Sequence, residues 1–122
     1  MDILICGGGA TAALDLCCLI YEQGHTVCGT TSNHDQCMAK AQKTRPDLVL
    51  VNVDVDHERT GLGLVETLAK NGTPSIVIAA DAGQVPSTTS ATAVIGKTVS
   101  QPRLASAIAD VERNRRPQAT GR

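Results

Sequence analysis

The sequence has almost no aromatic residues: it contains no tryptophan, no phenylalanine and a single tyrosine. Proteins that hold single-stranded nucleic acid stack its bases on aromatic side chains, so this composition argues against such a platform. The charges are nearly balanced, with 11 basic and 12 acidic residues. A chain without an excess of either sign lacks the field that attracts nucleic acid or a charged membrane surface. We therefore expect neither kind of partner.

Long hydrophobic runs are absent as well. No segment approaches the roughly 18 consecutive apolar residues that a membrane span requires. The opening, Met-Asp-Ile-Leu-Ile, has no basic lead and begins directly with a strand pattern, which is unlike a signal peptide. The three histidines are scattered along the chain, so no metal-ligand spacing is recognisable.

The five cysteines are odd in number and show no Cys-x-x-Cys spacing. This excludes the usual zinc-knuckle and thioredoxin-type motifs. Because the cysteines lie in apolar segments, we expect reduced, buried thiols in a cytoplasmic protein. A redox sensor at the adjacent pair Cys17-Cys18 is an alternative. The cysteines are Cys6, Cys17, Cys18, Cys28 and Cys37.

The most informative stretch covers residues 47–55, Asp-Leu-Val-Leu-Val-Asn-Val-Asp-Val, which follow Pro46. A short run this rich in valine and leucine is typical of a strand buried on both faces of a parallel sheet. In an open α/β sheet, ligands bind just beyond the carboxyl ends of such strands. We therefore look for a site at residues 52–56, where Asn52 precedes the carboxylates Asp54 and Asp56.

Around this strand, extended and helical patterns alternate along the chain. Runs rich in β-branched residues predict strands over 2–6, 25–29, 47–55, 75–80 and 93–96. Apolar residues at helical spacing predict helices over 11–23, 35–44, 61–71 and 102–114. A charged loop is predicted over 56–60, and a polar loop with at most a weak helix over 81–92. The first helix is predicted to bury Leu14, Cys17, Cys18 and Tyr21, with Ala13, Leu16 and Ile20 beside them.

This alternation predicts an α/β fold. Strands and helices joined by short connections form a doubly wound, flavodoxin-like three-layer sandwich, in which helices cover both faces of a five-stranded parallel sheet. The 122 residues correspond to one domain. We assign residues 1–114 to this domain, and residues 115–122 to a polar, basic tail that is expected to be disordered.

Four segments, in order and spacing, resemble the receiver domain of response regulators over nearly the whole chain. Residues 46–52 match the run that leads to the phosphoacceptor aspartate of that family. Residues 60–64 match the glycine that opens the third helix, and residues 73–80 match the proline-led fourth strand. Residues 95–98 match the strand that ends in Lys-Pro. The resemblance implies a flavodoxin-like sheet with the strand order 2-1-3-4-5.

At its functional positions, however, the chain departs from the family pattern. Asn52 stands in the phosphoacceptor register, and Gly7 and Gly8 stand where the family carries the acidic pair that binds magnesium. Ala79 replaces the switch hydroxyl, and Val94 replaces the switch aromatic residue. The sequence thus resembles a degenerate, aspartate-less pseudo-receiver.

Only the family's lysine is retained, as Lys97, and it is followed by threonine instead of proline. Phosphoryl transfer to an aspartate needs a carboxylate nucleophile and a hard cation that offsets the charge on the transferring oxygens. Asn52 is neutral and forms no acyl phosphate, and Gly7 and Gly8 offer magnesium no carboxylate ligand. We therefore predict a non-enzymatic signalling module with no metal and no cofactor.

The resemblance implies that such a module works in two-component signal transduction by docking a protein. The partner would be a histidine kinase, another regulator or a second copy of the chain. The family's usual docking and dimer surface consists of the fourth helix, the fifth strand and the fifth helix. A homodimer is therefore expected to form through that face.

Two uses of the same edge of the sheet stay open. Asp54 and Asp56 are candidates for a displaced phosphoacceptor, although both also fit an ordinary solvated loop. Lys97 facing the backbone amides of the glycine-rich turn would form an anion-binding cradle with Gly7, Gly8 and Gly9.

The same turn also suggests a different class of function. Residues 7–12, Gly-Gly-Gly-Ala-Thr-Ala, fit the G-x-G-x-x-A dinucleotide fingerprint between a strand and a helix. The acidic residue that would bind the ribose is absent after the second strand, where Gly29, Thr30 and Thr31 stand. A tight turn of small residues explains the same pattern. The alternative function is therefore a small Rossmann-like nucleotide- or anion-binding protein.

Overall fold

The computed structural model describes residues 1–7, 9–53, 58–80, 89–96 and 99–120. Its framework is a five-stranded, fully parallel sheet with the order β2-β1-β3-β4-β5, which confirms the predicted fold class and strand order. The elements are β1 (Asp2–Cys6), α1 (Gly9–Glu22), β2 (Thr26–Thr31), α2 (His34–Thr44), β3 (Leu48–Val53), α3 (Glu58–Lys70), β4 (Ser75–Ala79), β5 (Ala93–Gly96) and α4 (Gln101–Thr120).

The central strand β3 is buried along its whole length, as its composition predicts. Leu48 and Leu50 face the layer that contains α1 and α4, whereas Val49, Val51 and Val53 face α2 and α3. Successive side chains of a strand point to opposite faces, so this one run supplies both halves of the core. Each fully buried side chain of this kind contributes about 1.5–3 kcal/mol relative to its exposed state.

The ends of α1 and α2 follow local sequence signals. Asn33 is the N-cap of α2, and its side chain accepts a hydrogen bond of 2.8 Å from the backbone N–H of Gln36. Gly24 follows α1 with a positive φ of 85°, and its N–H donates to the carbonyl of Tyr21.

The buried face of α1 differs from the sequence prediction. Leu16 and Ile20 are buried against the sheet, with Ala13, Cys17 and Leu19 packed beside them. By contrast, the side chains of Leu14 and Tyr21 are 65% and 57% exposed, and Cys18 is also exposed. This helix is apolar around most of its circumference, so periodicity alone does not select the stripe that meets the sheet.

Two helix boundaries also differ. Helix α3 begins at Glu58, inside the stretch predicted as a charged loop. Helix α4 runs to Thr120, beyond the predicted end at residue 114. Its buried stripe consists of Leu104, Ala107, Ile108 and Val111. The division into a domain and a disordered tail stays a prediction. Residues 81–88 of the predicted polar loop lie outside the described residues.

No helix in the described parts of the chain has the length and apolar character that crossing a membrane requires.

Candidate functional site

Three of the residues singled out by the sequence, Gly7, Asn52 and Ala79, lie at the carboxyl edge of the sheet. Cys6 at the end of β1 is paired with Val51, so the turn that begins at Gly7 lies beside Asn52 of β3. The register continues across the next strands, where Asn52 is paired with Ile78 and Ala79 with Gly96. The structure therefore brings Gly7, Asn52 and Ala79 to one edge, as parallel strands require.

The backbone geometry at position 7 requires glycine. Its φ is +83°, a conformation that side-chain-bearing L-residues rarely adopt. A Cβ built at this position would lie 2.5 Å from the backbone oxygen of Asn52, far inside contact distance. The Gly7 N–H donates to the carbonyl of Thr31 over 2.8 Å, so this amide is already engaged. The position where the family carries an acid thus has no room for any side chain in this backbone arrangement.

Asn52 projects from β3 toward the layer of α1 and α4 and is only 9% exposed. Its side-chain oxygen Oδ1 is fully buried, and nothing in the described parts of the chain donates a hydrogen bond to it. A buried acceptor without a donor costs about 1–3 kcal/mol. Native proteins rarely leave such an atom unpaired, so the side chain is a candidate for contact with a ligand.

The two switch positions carry aliphatic side chains. Ala79, at the end of β4, is buried within the core that faces α2 and α3. Val94 lies on the edge strand β5, is paired with Val77 and packs against the same core. Neither residue offers a hydroxyl or an aromatic ring that would respond to a phosphoryl group.

The remaining predicted site residues are Gly8, Asp54, Asp56 and Lys97, and all of them lie outside the described residues. Their roles, including the displaced phosphoacceptor and the anion cradle, stay predictions. Among the residues that the structure describes, no group of three or more histidine, cysteine or acidic side chains is placed to hold a metal ion.

Two thiols beside this edge form a pair that the sequence did not reveal. Cys6 at the end of β1 and Cys37 in α2 are both buried in the core that faces α2 and α3. A hydrogen bond from Cys37, assisted by Thr31 and opposed by burial, lowers the pKa of Cys6 to about 7. The same pairing, together with burial, raises the pKa of Cys37. The only signal in the sequence was that both cysteines fall in strongly apolar positions.

The other cysteines are more exposed than predicted. Cys17 and Cys28 are partly buried, and Cys18 is exposed, so the expectation of a buried thiol is wrong for Cys18. All five cysteines are free. Burial raises the pKa of Cys17, and the neighbouring Cys18 adds to that effect. The Cys6–Cys37 pair is therefore the more thiolate-prone of the two cysteine pairs.

The Cys6–Cys37 pair predicts a pH dependence of stability. Because the folded pKa of Cys6, about 7, is below its unfolded value of roughly 8.5, its contribution is complete above the unfolded value and is lost as the pH falls through 7. We expect the free energy of unfolding to rise by about 1 kcal/mol from pH 6 to pH 8. Above that range, ionisation of Cys37 in the unfolded chain opposes the rise.

Urea unfolding at pH 6, 7 and 8 under reducing conditions measures this effect. Cys37→Ala removes the hydrogen-bond donor, so its stability relative to the wild type should fall as the pH rises. Cys28→Ala, at a partly buried thiol outside the pair, serves as the control and should follow the wild-type profile. A wild-type profile that is flat over this range would contradict the lowered pKa of Cys6.

Comparison with known proteins gives a fold and no sequence family. No protein-family model matches the chain, and no curated protein sequence matches it. The signal receiver domain of a modulated diguanylate cyclase from Desulfovibrio desulfuricans G20 superimposes with a TM-score of 0.81 at 22% identity, covering 96% of this chain and 97% of that chain. The receiver domain of the Erythrobacter litoralis response regulator PhyR has a TM-score of 0.78 at 21% identity, covering 91% and 88%.

A third structure, the response regulator PhyR from Brucella abortus, is a longer protein. It superimposes with a TM-score of 0.79 at 22% identity, covering 98% of this chain but only 52% of its own. The present chain therefore spans about half the length of that protein. With the same strand order and nearly complete coverage by receiver domains, the chain has the fold of a response regulator receiver domain.

Proposed function

We propose that the chain is a non-enzymatic signalling module of the receiver type that works without aspartyl phosphorylation. The observation that carries this proposal is the contact between Gly7 and Asn52. The phosphoacceptor position holds a neutral, buried amide, and the position beside it excludes any side chain in the observed backbone. The two functional groups that a receiver brings together at this point are absent from both positions.

The chemistry of the transfer supports this interpretation. An amide is not the carboxylate nucleophile that an acyl phosphate requires. Magnesium, which would offset the charge on the phosphoryl oxygens, prefers oxygen ligands and usually includes a carboxylate among them. Ala79, at the end of the neighbouring strand, has no hydroxyl to bond a phosphoryl oxygen. A phosphoryl group would therefore find neither a carboxylate acceptor at position 52 nor a hydroxyl at position 79 to bond its oxygens.

With that relay missing, we propose that the module acts by docking a protein partner. The candidates remain a histidine kinase, another regulator or a second copy of the chain. Leu14 and Tyr21 lie on the face of α1 that points away from the core. Their exposed apolar surface supports contact with a partner. The edge strand β5 with α4 remains the proposed dimer surface. The five free cysteines fit a reducing compartment, and we place the protein in the cytoplasm.

Incubation with acetyl phosphate and magnesium tests the absence of phosphorylation. We expect intact-mass spectrometry to find no phosphoryl adduct under conditions that fully modify a receiver domain with an intact acidic pair. Addition of beryllofluoride and magnesium should likewise leave the amide NMR spectrum unchanged. A base-labile adduct mapped to Asp54 or Asp56 would overturn the proposal and assign a displaced phosphoacceptor.

The docking surface is tested separately. Sedimentation velocity over a concentration series reports self-association, and Leu14→Arg should abolish it if α1 forms the contact. Thr11→Arg, at another exposed position of α1, is the matched control for the added charge. Dimers that survive Leu14→Arg but dissociate in Ala105→Glu would support the proposed dimer surface of β5 and α4. Only a monomer under all conditions argues against a second copy as the partner.

A further inference from the structure

A cavity lies between α1 and the carboxyl half of the sheet. It has a volume of about 190 Å³, is partly open to solvent, and is lined in part by Val99, which precedes α4. The face of α1 that turns toward the sheet supplies one wall, and β3 and β4 supply the floor. Its lining residues are Ala12, Asp15, Leu16, Leu19, Asn52, Ile78 and Val99.

The walls are largely aliphatic, so they suit an apolar molecule. An engineered apolar cavity of about 150 Å³ is large enough to bind benzene, so this one has room for a six-membered ring with a short substituent. A ligand of that size would contact Leu16, Leu19 and Ile78 on one side and keep part of its surface in solvent. This apolar contact alone would not orient it.

Asn52 supplies the orienting group. Its side chain lines the cavity, is nine-tenths buried and has an Oδ1 to which nothing in the described ranges donates. The terminal torsion of an asparagine is soft, so the amide turns its oxygen toward a donor at little cost. A ligand N–H or O–H would satisfy this acceptor and would recover the penalty of leaving it unpaired.

Asp15 sets the preferred charge. It is the single ionisable residue in the described lining, and it places a carboxylate at the wall of the cavity. A bound anion would be repelled by this carboxylate, whereas a cation would be attracted to it. Carboxylates and phosphates are therefore disfavoured ligands at this position.

From these observations, we propose that the cavity binds a small, largely apolar molecule that carries an N–H or O–H donor, with a protonated amine preferred to an anion. The bound donor reaches Asn52, and the apolar body fills the space between α1 and the sheet. This site differs from the anion cradle considered for the glycine turn, because its described lining contains the Asp15 carboxylate and no cationic side chain. It also does not depend on whether the module docks a protein.

A set of four one-ring compounds tests this on the wild-type protein. Benzylamine offers a cationic donor, benzyl alcohol a neutral donor, benzoate an anion and ethylbenzene no polar group. In titrations followed by amide NMR, we expect the amine and the alcohol to shift the signals of Asn52, Ile78 and Val99. The affinities for benzoate and ethylbenzene should be at least about tenfold weaker, corresponding to about 1.4 kcal/mol for the missing or repelled contact.

Two variants in the lining and one control variant locate the effect. Asn52→Leu keeps the size of the side chain and removes the acceptor, so it should abolish the preference for benzyl alcohol over ethylbenzene. Asn71→Leu makes the same chemical change at an exposed position away from the cavity and should leave binding unchanged. Asp15→Asn should weaken binding of benzylamine more than that of benzyl alcohol.

Three results would overturn the proposal. The first is that none of the four compounds shifts the lining residues. The second is that ethylbenzene binds the wild type as well as benzyl alcohol does, which would make the space a gap in packing with no role for Asn52. The third is that benzoate binds best, which would assign an anion site. The wild-type series alone decides among these results, even if Asn52→Leu fails to fold.

Discussion

Replacement of Gly7 by alanine is expected to lower the free energy of unfolding by about 2–5 kcal/mol. Part of this loss is backbone strain, because the φ of +83° costs an L-residue about 1–2 kcal/mol. The rest is a clash, since the new Cβ would lie 2.5 Å from the backbone oxygen of Asn52. That oxygen belongs to the central strand and has no freedom to move aside, so overpacking adds about 1–3 kcal/mol.

The chain supplies matched controls for the two contributions. Gly9 and Gly24 also have positive φ values, of 77° and 85°, but a Cβ at either position meets nothing within 4 Å. Gly9→Ala and Gly24→Ala should therefore lose only the strain, about 1–2 kcal/mol. Urea unfolding of the three variants isolates the clash as the difference between Gly7→Ala and the controls. Equal losses in all three would show that Asn52 does not exclude a side chain at position 7.

This geometry bears directly on the proposed function. If alanine is not accommodated at position 7, aspartate is not accommodated there either, because it carries the same Cβ. Restoring the acidic pair of a receiver would then require the first turn to change its backbone path. The loss of the acid and the approach of Gly7 to Asn52 are therefore one structural feature, and reversing it by a single substitution is expected to fail.

The fold was largely predictable from the sequence because its signals are local. The run from Leu48 to Val53 is apolar except for Asn52, a pattern typical of a strand buried on both faces. Asn33 and Gly24 mark helix ends through side-chain and backbone chemistry that acts within a few residues. The strand order followed from resemblance to receiver domains, and the register across the sheet agrees with it.

The buried stripe of α1 was not predictable in the same way. Two stripes compete on this helix, one through Leu16 and Ile20 and the other through Leu14 and Tyr21, and both have helical spacing. The sheet buries the first stripe, and the apolar pattern does not encode the path of the chain between β1 and α1, where Gly7 and Gly9 have positive φ values.

The contacts of the site were also hidden, since they join residues far apart in the chain. Gly7 follows β1 whereas Asn52 lies on β3, and the cavity that Asn52 shares with Asp15 is formed by α1 together with β3 and β4. The sequence identified Asn52 by its register and predicted the loss of a carboxylate there. It did not indicate that the amide would be buried with an unpaired oxygen, because that depends on which neighbours fold against it.

Asn52→Asp is expected to destabilise the protein in a pH-dependent way and to gain no phosphorylation. Burial and the nearby carboxylate of Asp15 both disfavour the charged form of the new side chain, so its folded pKa should be raised above the unfolded value of about 3.9. For an acid with a raised folded pKa, stability is complete below the unfolded value and is lost as the pH rises through the folded one. With a rise of about two units, the loss reaches about 3 kcal/mol at pH 8 and is small at pH 4.

Thermal or urea unfolding of Asn52→Asp from pH 4 to pH 8 measures this loss, with exposed Asn71→Asp as the control that should show no added pH dependence. The effect of magnesium on the stability of this variant tests whether the edge of the sheet can bind a cation. If Gly7 and its neighbours hold no cation, 10-fold changes in magnesium concentration should not restore the lost stability, and acetyl phosphate should leave no adduct. If magnesium does restore it, the introduced carboxylate has completed a cation site, and the proposal that this edge cannot support phosphoryl transfer would have to be abandoned.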